Sequence, residues 1–149
     1  MERHKACAQA GIGLVMLARL YRRALDAAMK PYGLSEATAM PFRYLAYHGA
    51  DIRQGALADA MHLEGPTLVR VLDRLVESGF VERIEDEGDR RARLVRMTPA
   101  GKALNKELDA VAEAVRAEIF AGVAEADLAA ALRMFGQLER NLLPMKALS

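Results

Sequence analysis

The chain has 149 residues, of which 52% are hydrophobic and 28% charged, so it can bury a core and wholesale disorder is excluded. Its 21 basic and 20 acidic residues leave a net charge of +1, so any indication of nucleic acid must come from local clusters. Cys7 is the single cysteine, which excludes a disulfide-stapled secreted scaffold and favours a cytoplasmic protein.

The N-terminal segment predicts a helix rather than a targeting sequence. Basic residues precede an uncharged stretch from Ala6 to Ala18, but arginines follow it where a signal peptide needs a small-residue cleavage site. The stretch is also too short to span a bilayer. From Ile12 to Lys30, charges recur every three or four positions and leucines cover the remaining surface, which predicts a first helix. Its apolar surface is wide enough to need more than one neighbouring element to cover it. Pro31 ends this helix, and Cys7 is expected ahead of it.

Three more helices are predicted in the next 45 residues. Ser35 is a good N-cap for a second helix that continues to about His48. Pro41 lacks a backbone donor, so we expect either a bend or an irregular first turn. A third, short helix covers about Gln54–Met61, and Gly65-Pro66-Thr67 opens a fourth, because proline suits a first helical turn.

The fourth predicted helix has two distinct faces. Its apolar stripe, expected to point inward, consists of Leu68, Leu72, Leu75 and Val76. The polar side chains projecting from another face are Thr67, Arg70 and Arg74. Gly79 is a natural left-handed residue at the end of the helix.

A hairpin follows the fourth helix. The hydrophobic period changes to two, which predicts strands at Phe80–Ile84 and Arg93–Met97 and a long polar loop, Glu85–Ala92, between them. Four acids in this loop are followed at once by the arginines 90, 91, 93 and 96. Such a run can be a solvated surface, but here it falls on the tip and second strand of the hairpin.

Two long helices complete the chain. Thr98-Pro99 is an N-cap followed by proline, and apolar residues then recur every three or four positions from Leu104 to Ile119. Gly122 interrupts that pattern, and a last helix is predicted around Leu128–Leu142. The terminal helices carry more apolar surface than a small core can cover, which predicts burial between subunits.

This order of elements is that of a winged helix-turn-helix. A helix fits the major groove and reads base edges, and a flexible hairpin can place arginine in the minor groove, where the potential is most negative. The expected fold is mainly α with a small β-hairpin wing. Residues 35–98 are predicted to bind DNA, and residues 1–34 and 99–149 to form a helical dimerisation region.

In this order of elements and in several short motifs, the sequence resembles the MarR family of transcriptional regulators. The segments that carry the resemblance are Leu68–Leu75, Gly79–Arg83, Asp89–Arg93 and Met97–Gly101. Within the family it is most similar to the SlyA branch, through Lys30-Pro31, Pro66–Arg70, Asp89–Ala92 and Glu118–Val123. The resemblance implies a homodimeric regulator, most simply a repressor, that binds a pseudo-palindromic double-stranded operator and is released by a small aromatic acid.

The resemblance also assigns DNA contacts by position. The recognition-helix contacts that it implies are Pro66, Thr67 and Arg70. Arg91 matches the wing-tip arginine, Arg90 lies beside it, and Asp89 matches the acid that braces the tip. Arg93 and Arg74 are further candidates, although Arg74 could instead pair with Asp73 or Glu77.

A ligand site is implied between the first and second helices, with the positions of Arg19 and Arg43 facing it. The full candidate set is Arg19, Arg22, Thr38, Arg43 and Tyr47. A guanidinium beside aromatic rings can bind a carboxylate through two parallel hydrogen bonds. Alternatively, Arg43 pairs with Glu36 or with an acid of the partner chain, and Tyr47 belongs to a core or an interface.

Other function classes find little support in the sequence. It contains no nucleophile–base arrangement with supporting context, no phosphate-binding glycine loop and no metal pair on a helix face, so neither an enzyme nor a cofactor is expected. His4 and Cys7 alone make a poor zinc site. Two alternatives stay open: a redox-sensing regulator acting through Cys7, and an interaction dimer that does not bind DNA. The arginine-rich hairpin argues against the second, because four arginines there contribute little to folding.

Overall fold

In a computed structural model, residues 2–146 are described, and the ends of the predicted dimerisation region, residue 1 and residues 147–149, lie outside them. The elements, in chain order, are α1 (Arg3–Met29), a 3₁₀ turn (Lys30–Tyr32), α2 (Glu36–His48), β1 (Ile52–Arg53), α3 (Gln54–Ala60), α4 (Gly65–Glu77), β2 (Val81–Asp86), β3 (Asp89–Met97), α5 (Pro99–Ile119) and α6 (Glu125–Lys146). The fold is thus mainly helical with a small antiparallel sheet, as predicted. Across the described range, no helix combines the length and apolar character that a membrane crossing requires.

The sheet has one strand more than the sequence predicted. Its order is β1-β3-β2, with both pairings antiparallel, so β3 lies in the centre. In β1, Ile52 is buried opposite Val95 of β3. A strand of two residues is too short to show an alternating pattern, and sequence periodicity therefore could not reveal it.

The hairpin is longer and tighter than expected. The predicted polar loop Glu85–Ala92 is wrong, because β2 continues to Asp86 and β3 begins at Asp89. Opposite charges face each other across the two strands, as in the Glu85–Arg93 pair, and such cross-strand pairs support polar strands. The register then shifts so that Asp86 lies opposite Asp89, leaving residues 90–92 as an irregularity in β3.

Two further sequence predictions about helices need correction. α1 begins at Arg3, so Cys7 lies inside this helix, with an exposed side chain, rather than ahead of it. Alanine, lysine and glutamine in this segment are good helix formers, which explains the extension. α2 runs through the buried Pro41 with a regular first turn, and its predicted cap is confirmed, since Ser35 Oγ accepts the N–H of Thr38 at 3.3 Å. The irregular first turn is therefore wrong.

The core is built around α4. Its predicted stripe is confirmed at Leu68, Leu72 and Leu75, which are fully or almost fully buried. Val76 was expected on the same stripe but is exposed, because it lies at the margin of the helix face. From α2, Phe42 contributes a buried ring whose centroid lies 6.1 Å from that of Phe80.

The start of α5 is fixed closely against the sheet. The predicted cap is confirmed, since Thr98 Oγ1 accepts the N–H of Gly101 at 3.0 Å and donates to the carbonyl of Gly79 at 2.7 Å. The backbone N–H of Thr98 also donates to the carbonyl of Phe80 at 3.1 Å. A Cβ added at Gly101 would lie 2.1 Å from that same oxygen, so the first turn of α5 can approach Phe80 only with glycine at this position.

The described residues divide into two compact units, with the boundary between Val115 and Arg116. In the first unit, α1 leaves a row of large apolar side chains exposed, including Leu17 at 65%. In the second unit, α6 does the same, including Leu132 at 63%. Each helix therefore presents an apolar surface that its own unit does not cover.

Candidate nucleic-acid interface

The first part of the candidate interface is the N-terminal half of α4. Pro66 occupies the first turn and is exposed, Thr67 is half-buried, and Arg70 lies one turn further on with an exposed side chain. Within residues 2–146, Arg70 makes no ion pair or hydrogen bond through its guanidinium. The buried stripe of α4 fixes this helix in the core, so its polar side chains project from a rigid support.

Arg74 also lies on the exposed side of α4. The alternative pairing with Asp73 or Glu77 is not seen among the described residues, because Asp73 is engaged by Arg83 at 2.7 Å instead. Arg74 is therefore left available, one turn beyond Arg70.

The second part is the wing tip between β2 and β3. Arg90 and Arg91 are exposed, and no acid of the described chain pairs with either. Asp89 Oδ1 accepts the backbone N–H of Arg91 at 3.0 Å, which is the geometry expected of a carboxylate that braces the tip. Arg93 differs from both, because it pairs with Glu85 across the strands at 3.0 Å.

A second carboxylate, which the sequence analysis missed, holds the same turn. Asp86 Oδ1 accepts the N–H of Gly88 at 2.9 Å, and its other oxygen lies 2.5 Å from Nη2 of Arg53 on β1. The Gly88 hydrogen bond, followed by Arg53, lowers the pKa of the Asp86 carboxyl below its ordinary value. The spacing of Asp86 and Gly88 is typical of a turn and could have indicated this hydrogen bond. Nothing in the sequence indicated that Arg53 would pair with Asp86.

A third missed residue, Arg83 of β2, joins the wing to the helix-turn-helix. Its guanidinium bonds to Asp73 of α4, to Gln54 Oε1 at the start of α3 at 3.1 Å, and to the carbonyl of Val69 at 3.4 Å. One side chain thus ties α3, α4 and β2 together. In the sequence, Arg83 belonged to an alternating strand and to the Gly79–Arg83 segment of the resemblance, but neither indicated its partners, which lie 10 to 29 residues away.

Arg96 is the last arginine of the hairpin, and its guanidinium is paired with an acid. Its Nε donates to Asp51 Oδ1 at 2.8 Å and its Nη2 to Oδ2 at 2.5 Å. These bonds lower the pKa of the Asp51 carboxyl and raise the pKa of Arg96. The pair fastens β3 to the segment that precedes β1.

The residues predicted to bind a ligand are not gathered around one cavity. Arg22 pairs with Glu36 at 3.3 Å, and Arg43 donates twice to Asp109 Oδ1, at 3.1 and 3.2 Å. Arg43 thus has an acid partner from α5 that neither the ligand prediction nor its alternative named, because the two residues lie 66 positions apart.

The remaining ligand candidates are equally separate. Thr38 is buried and shares a 3.0 Å hydrogen bond with Ser35 in the cap of α2. Tyr47 is 90% exposed, so it is not a core residue of this chain, and its place in an interface stays a prediction. Arg19 is exposed on α1. A cavity of about 340 Å³ does exist in the first unit, but its lining includes none of the five candidates.

Comparisons with known proteins agree with this geometry. Residues 32–92 match the MarR family. The chain is 33% identical to transcriptional regulator PA3341, covering 89% of this chain and 96% of that one with a TM-score of 0.81. It shares its fold with a mutant MarR from E. coli complexed with operator DNA (21% identity, 93% and 99% covered, TM-score 0.80). It also shares its fold with CouR from Rhodococcus jostii RHA1 bound to p-coumaroyl-CoA (22%, 91% and 92%, TM-score 0.77). The chain belongs to the MarR family and is a winged-helix transcriptional regulator.

Proposed function

We propose that this chain is a homodimeric repressor of the SlyA branch that binds a pseudo-palindromic operator and is released by a small aromatic acid. In this proposal residues 35–98 bind DNA, and residues 1–34 and 99–149 form the dimerisation region. The observation that carries it is a division among the arginines. Among the arginines of residues 51–98, those without an ion pair are on the recognition helix and wing tip, at positions 70, 74, 90 and 91, whereas positions 53, 83, 93 and 96 are each paired with an acid.

This division has a direct electrostatic meaning. An arginine that already pairs with a carboxylate must give up that partner to bind phosphate or a base, whereas a free guanidinium only exchanges water. Arg70 is placed to read a base edge in the major groove, and Arg91 to enter the minor groove. Two recognition helices would then occupy successive major grooves, about 10 bp apart on one face of the duplex.

Dimerisation is supported by the apolar rows on α1 and α6. Both helices expose many large apolar side chains, and concentrations of exposed apolar surface are typical of protein interfaces. Covering both helices from two chains would bury more than about 2,000 Å², which is the range of obligate dimers.

The effector and branch assignments rest on separate observations. CouR, which shares this fold, was solved with an aromatic acyl thioester bound, and this supports an aromatic effector for the present chain. The SlyA assignment rests on the Pro66–Arg70 run and on the Glu118–Val123 segment after the long helix.

The test is operator binding measured by fluorescence anisotropy over a range of salt concentrations. Arg70→Ala should cost about 1–3 kcal/mol and relax specificity at one base pair, if Arg70 reads a base edge. Arg91→Ala should weaken binding and reduce the salt slope by about one, because a cation near the phosphates is removed.

A matched variant on the same strand is Arg93→Ala. Since Arg93 is already paired with Glu85, its loss should weaken binding less than the loss of Arg91. Equal operator affinity of the wild type and Arg91→Ala at every salt concentration would show that the wing assignment is wrong.

A further inference from the structure

The turn between α3 and α4 contains an unusual backbone conformation. His62 has a φ of 54°, and among residues 2–146 it is the only residue other than glycine with a positive φ. A Cβ makes this left-handed conformation unfavourable, although histidine adopts it more often than most residues do. Glycine adopts it at no steric cost and is the usual residue at such a position. The sequence therefore has a histidine where glycine would fold more easily.

The end of α3 imposes this conformation. The N–H of Leu63 donates to the carbonyl of Ala58 at 2.9 Å, and the N–H of His62 donates to the carbonyl of Asp59 at 3.1 Å. This pair of bonds is a Schellman motif, which places a left-handed residue just after a helix. Met61 and Leu63, on either side, pack partly buried against the core, whereas His62 is exposed. The imidazole is therefore presented to the outside by a turn that its neighbours hold in place.

His62 lies close to the part of α4 that is proposed to bind DNA. It precedes Pro66 by four residues, so even a fully extended chain would keep the two Cα atoms within about 14 Å of each other. The major groove is about 12 Å wide, and the phosphate backbones form its two edges. With the start of α4 in the groove, we expect His62 at one of these edges rather than over the base pairs.

The charges of this segment single out the histidine. Between Arg53 and Arg70 it is the only side chain that can carry a positive charge, and the segment also contains the acids Asp59 and Glu64. Contacts to phosphates fix the register of a protein on a duplex. Imidazole can donate a hydrogen bond to a phosphate in its neutral form and in its charged form. At this end of α4, His62 is therefore the side chain best suited to bind a phosphate.

We propose that His62 binds a backbone phosphate of the operator, at the edge of the major groove into which α4 inserts. This DNA contact is additional to those of α4 and the wing tip, and the inference rests on the proposed function. The histidine lowers folding stability, because of its left-handed conformation, and raises DNA affinity. Replacement of His62 by glycine should therefore change the two quantities in opposite directions.

The first experiment measures both quantities in His62→Gly. We expect the urea midpoint to rise by about 0.3–0.5 M at a fixed protein concentration, because glycine adopts the left-handed conformation without steric cost. Affinity is measured by fluorescence anisotropy on a duplex that the wild-type protein has selected from a random-sequence library. It should fall by about tenfold or more, the size expected for a lost hydrogen bond to a charged group.

A second pair of variants separates a phosphate contact from a change in flexibility. Asparagine and aspartate both tolerate the left-handed conformation and have nearly the same shape, so His62→Asn and His62→Asp differ by one negative charge. Next to a phosphate, that charge should lower affinity by about tenfold relative to His62→Asn at low salt, and by less at high salt. An uncharged methylphosphonate in place of the contacted phosphate should remove this difference.

Glu107→Gln is the matched control for charge. Glu107 is exposed on α5 and lies outside residues 35–98, and the wild type differs from this variant by one negative charge. The two proteins should bind the duplex with affinities within about twofold of each other, because charges more than about 10 Å from the DNA are screened by salt. Arg70→Ala is the reference for the loss of a proposed base contact.

Two results would overturn the inference. Equal affinities of His62→Asn and His62→Asp at low salt would show that no phosphate lies near this side chain. Unchanged or higher affinity in His62→Gly would show that the histidine does not contact DNA. In either case, weaker binding by Arg70→Ala would leave the proposed function standing. A wild-type protein that selects no duplex would contradict both the inference and the proposed function.

Discussion

Arg83 is the residue at which the structure makes its sharpest prediction about stability and binding together. Arg83→Met keeps the apolar stem and removes the guanidinium that joins α3, α4 and β2. We expect the free energy of unfolding to fall by about 2 kcal/mol, as the sum of two contributions. The pair with Asp73 is partly exposed, with side chains 25% and 50% accessible, and contributes about 0.5–1 kcal/mol. The charged hydrogen bond to Gln54 contributes about 1.5 kcal/mol, and the long contact to Val69 little.

Operator binding should also weaken in Arg83→Met. The reason differs from that for Arg91→Ala, because Arg83 positions the DNA-binding elements and does not contact phosphate. Arg83 holds α4 against the hairpin, so its loss broadens the range of relative positions that α4 and the wing adopt. We expect about tenfold lower affinity with an unchanged salt slope, because no phosphate contact is removed.

The assay is urea denaturation with linear extrapolation, together with anisotropy over a range of salt concentrations. Arg93→Met is the control for stability, because its ion pair with Glu85 is exposed at both ends, 50% and 71%, and should contribute less than about 0.5 kcal/mol. A loss of stability in Arg83→Met no larger than in this control would refute the reasoning. A reduced salt slope would show instead that Arg83 touches DNA.

Three other predictions concern stability and assembly. Gly101→Ala should lower the free energy of unfolding by about 3 kcal/mol or more, measured by thermal denaturation, because its Cβ collides with the carbonyl of Phe80. The pKa of Asp86 is lowered in the folded state, so its contribution to folding stability is present above the unfolded pKa and is lost as the pH falls through the folded pKa. Asp86→Asn should therefore make stability depend less steeply on pH below about pH 4. Leu132→Glu on α6 should convert a dimer to monomers in sedimentation velocity, and a stable wild-type monomer at micromolar concentration would contradict the dimer proposal.

The features that the sequence predicted well are those set by a few neighbouring residues. The cap of α2 at Ser35 and the cap of α5 at Thr98 depend on a hydroxyl and an N–H three residues away. The buried stripe of α4 follows from the 3.6-residue period of one helix. Each of these is local, so reading along the chain was sufficient.

The features that the sequence could not predict involve residues far apart in the chain. Arg43 was predicted to bind a ligand, Glu36 or an acid of the partner chain, and the side chain that it contacts is Asp109, from a helix whose position depends on the whole core. The ties made by Arg83, and the strand β1, likewise need the folded arrangement before they can be seen. Charged residues in the hairpin were interpreted as a loop because polarity was weighted above the cross-strand pairing of opposite charges.

The order of the strands has a consequence for solubility. With β3 in the centre, β2 is an edge strand, and an edge with free backbone groups invites pairing with the same edge of another molecule. Glu82 and Glu85 place negative charge along β2, and the irregularity at residues 90–92 interrupts the flat ladder near its end. The opposite edge, β1, is two residues long and offers little to pair with. The protein can therefore extend a wing into solvent, where it is available to DNA, without presenting a template for aggregation through strand addition.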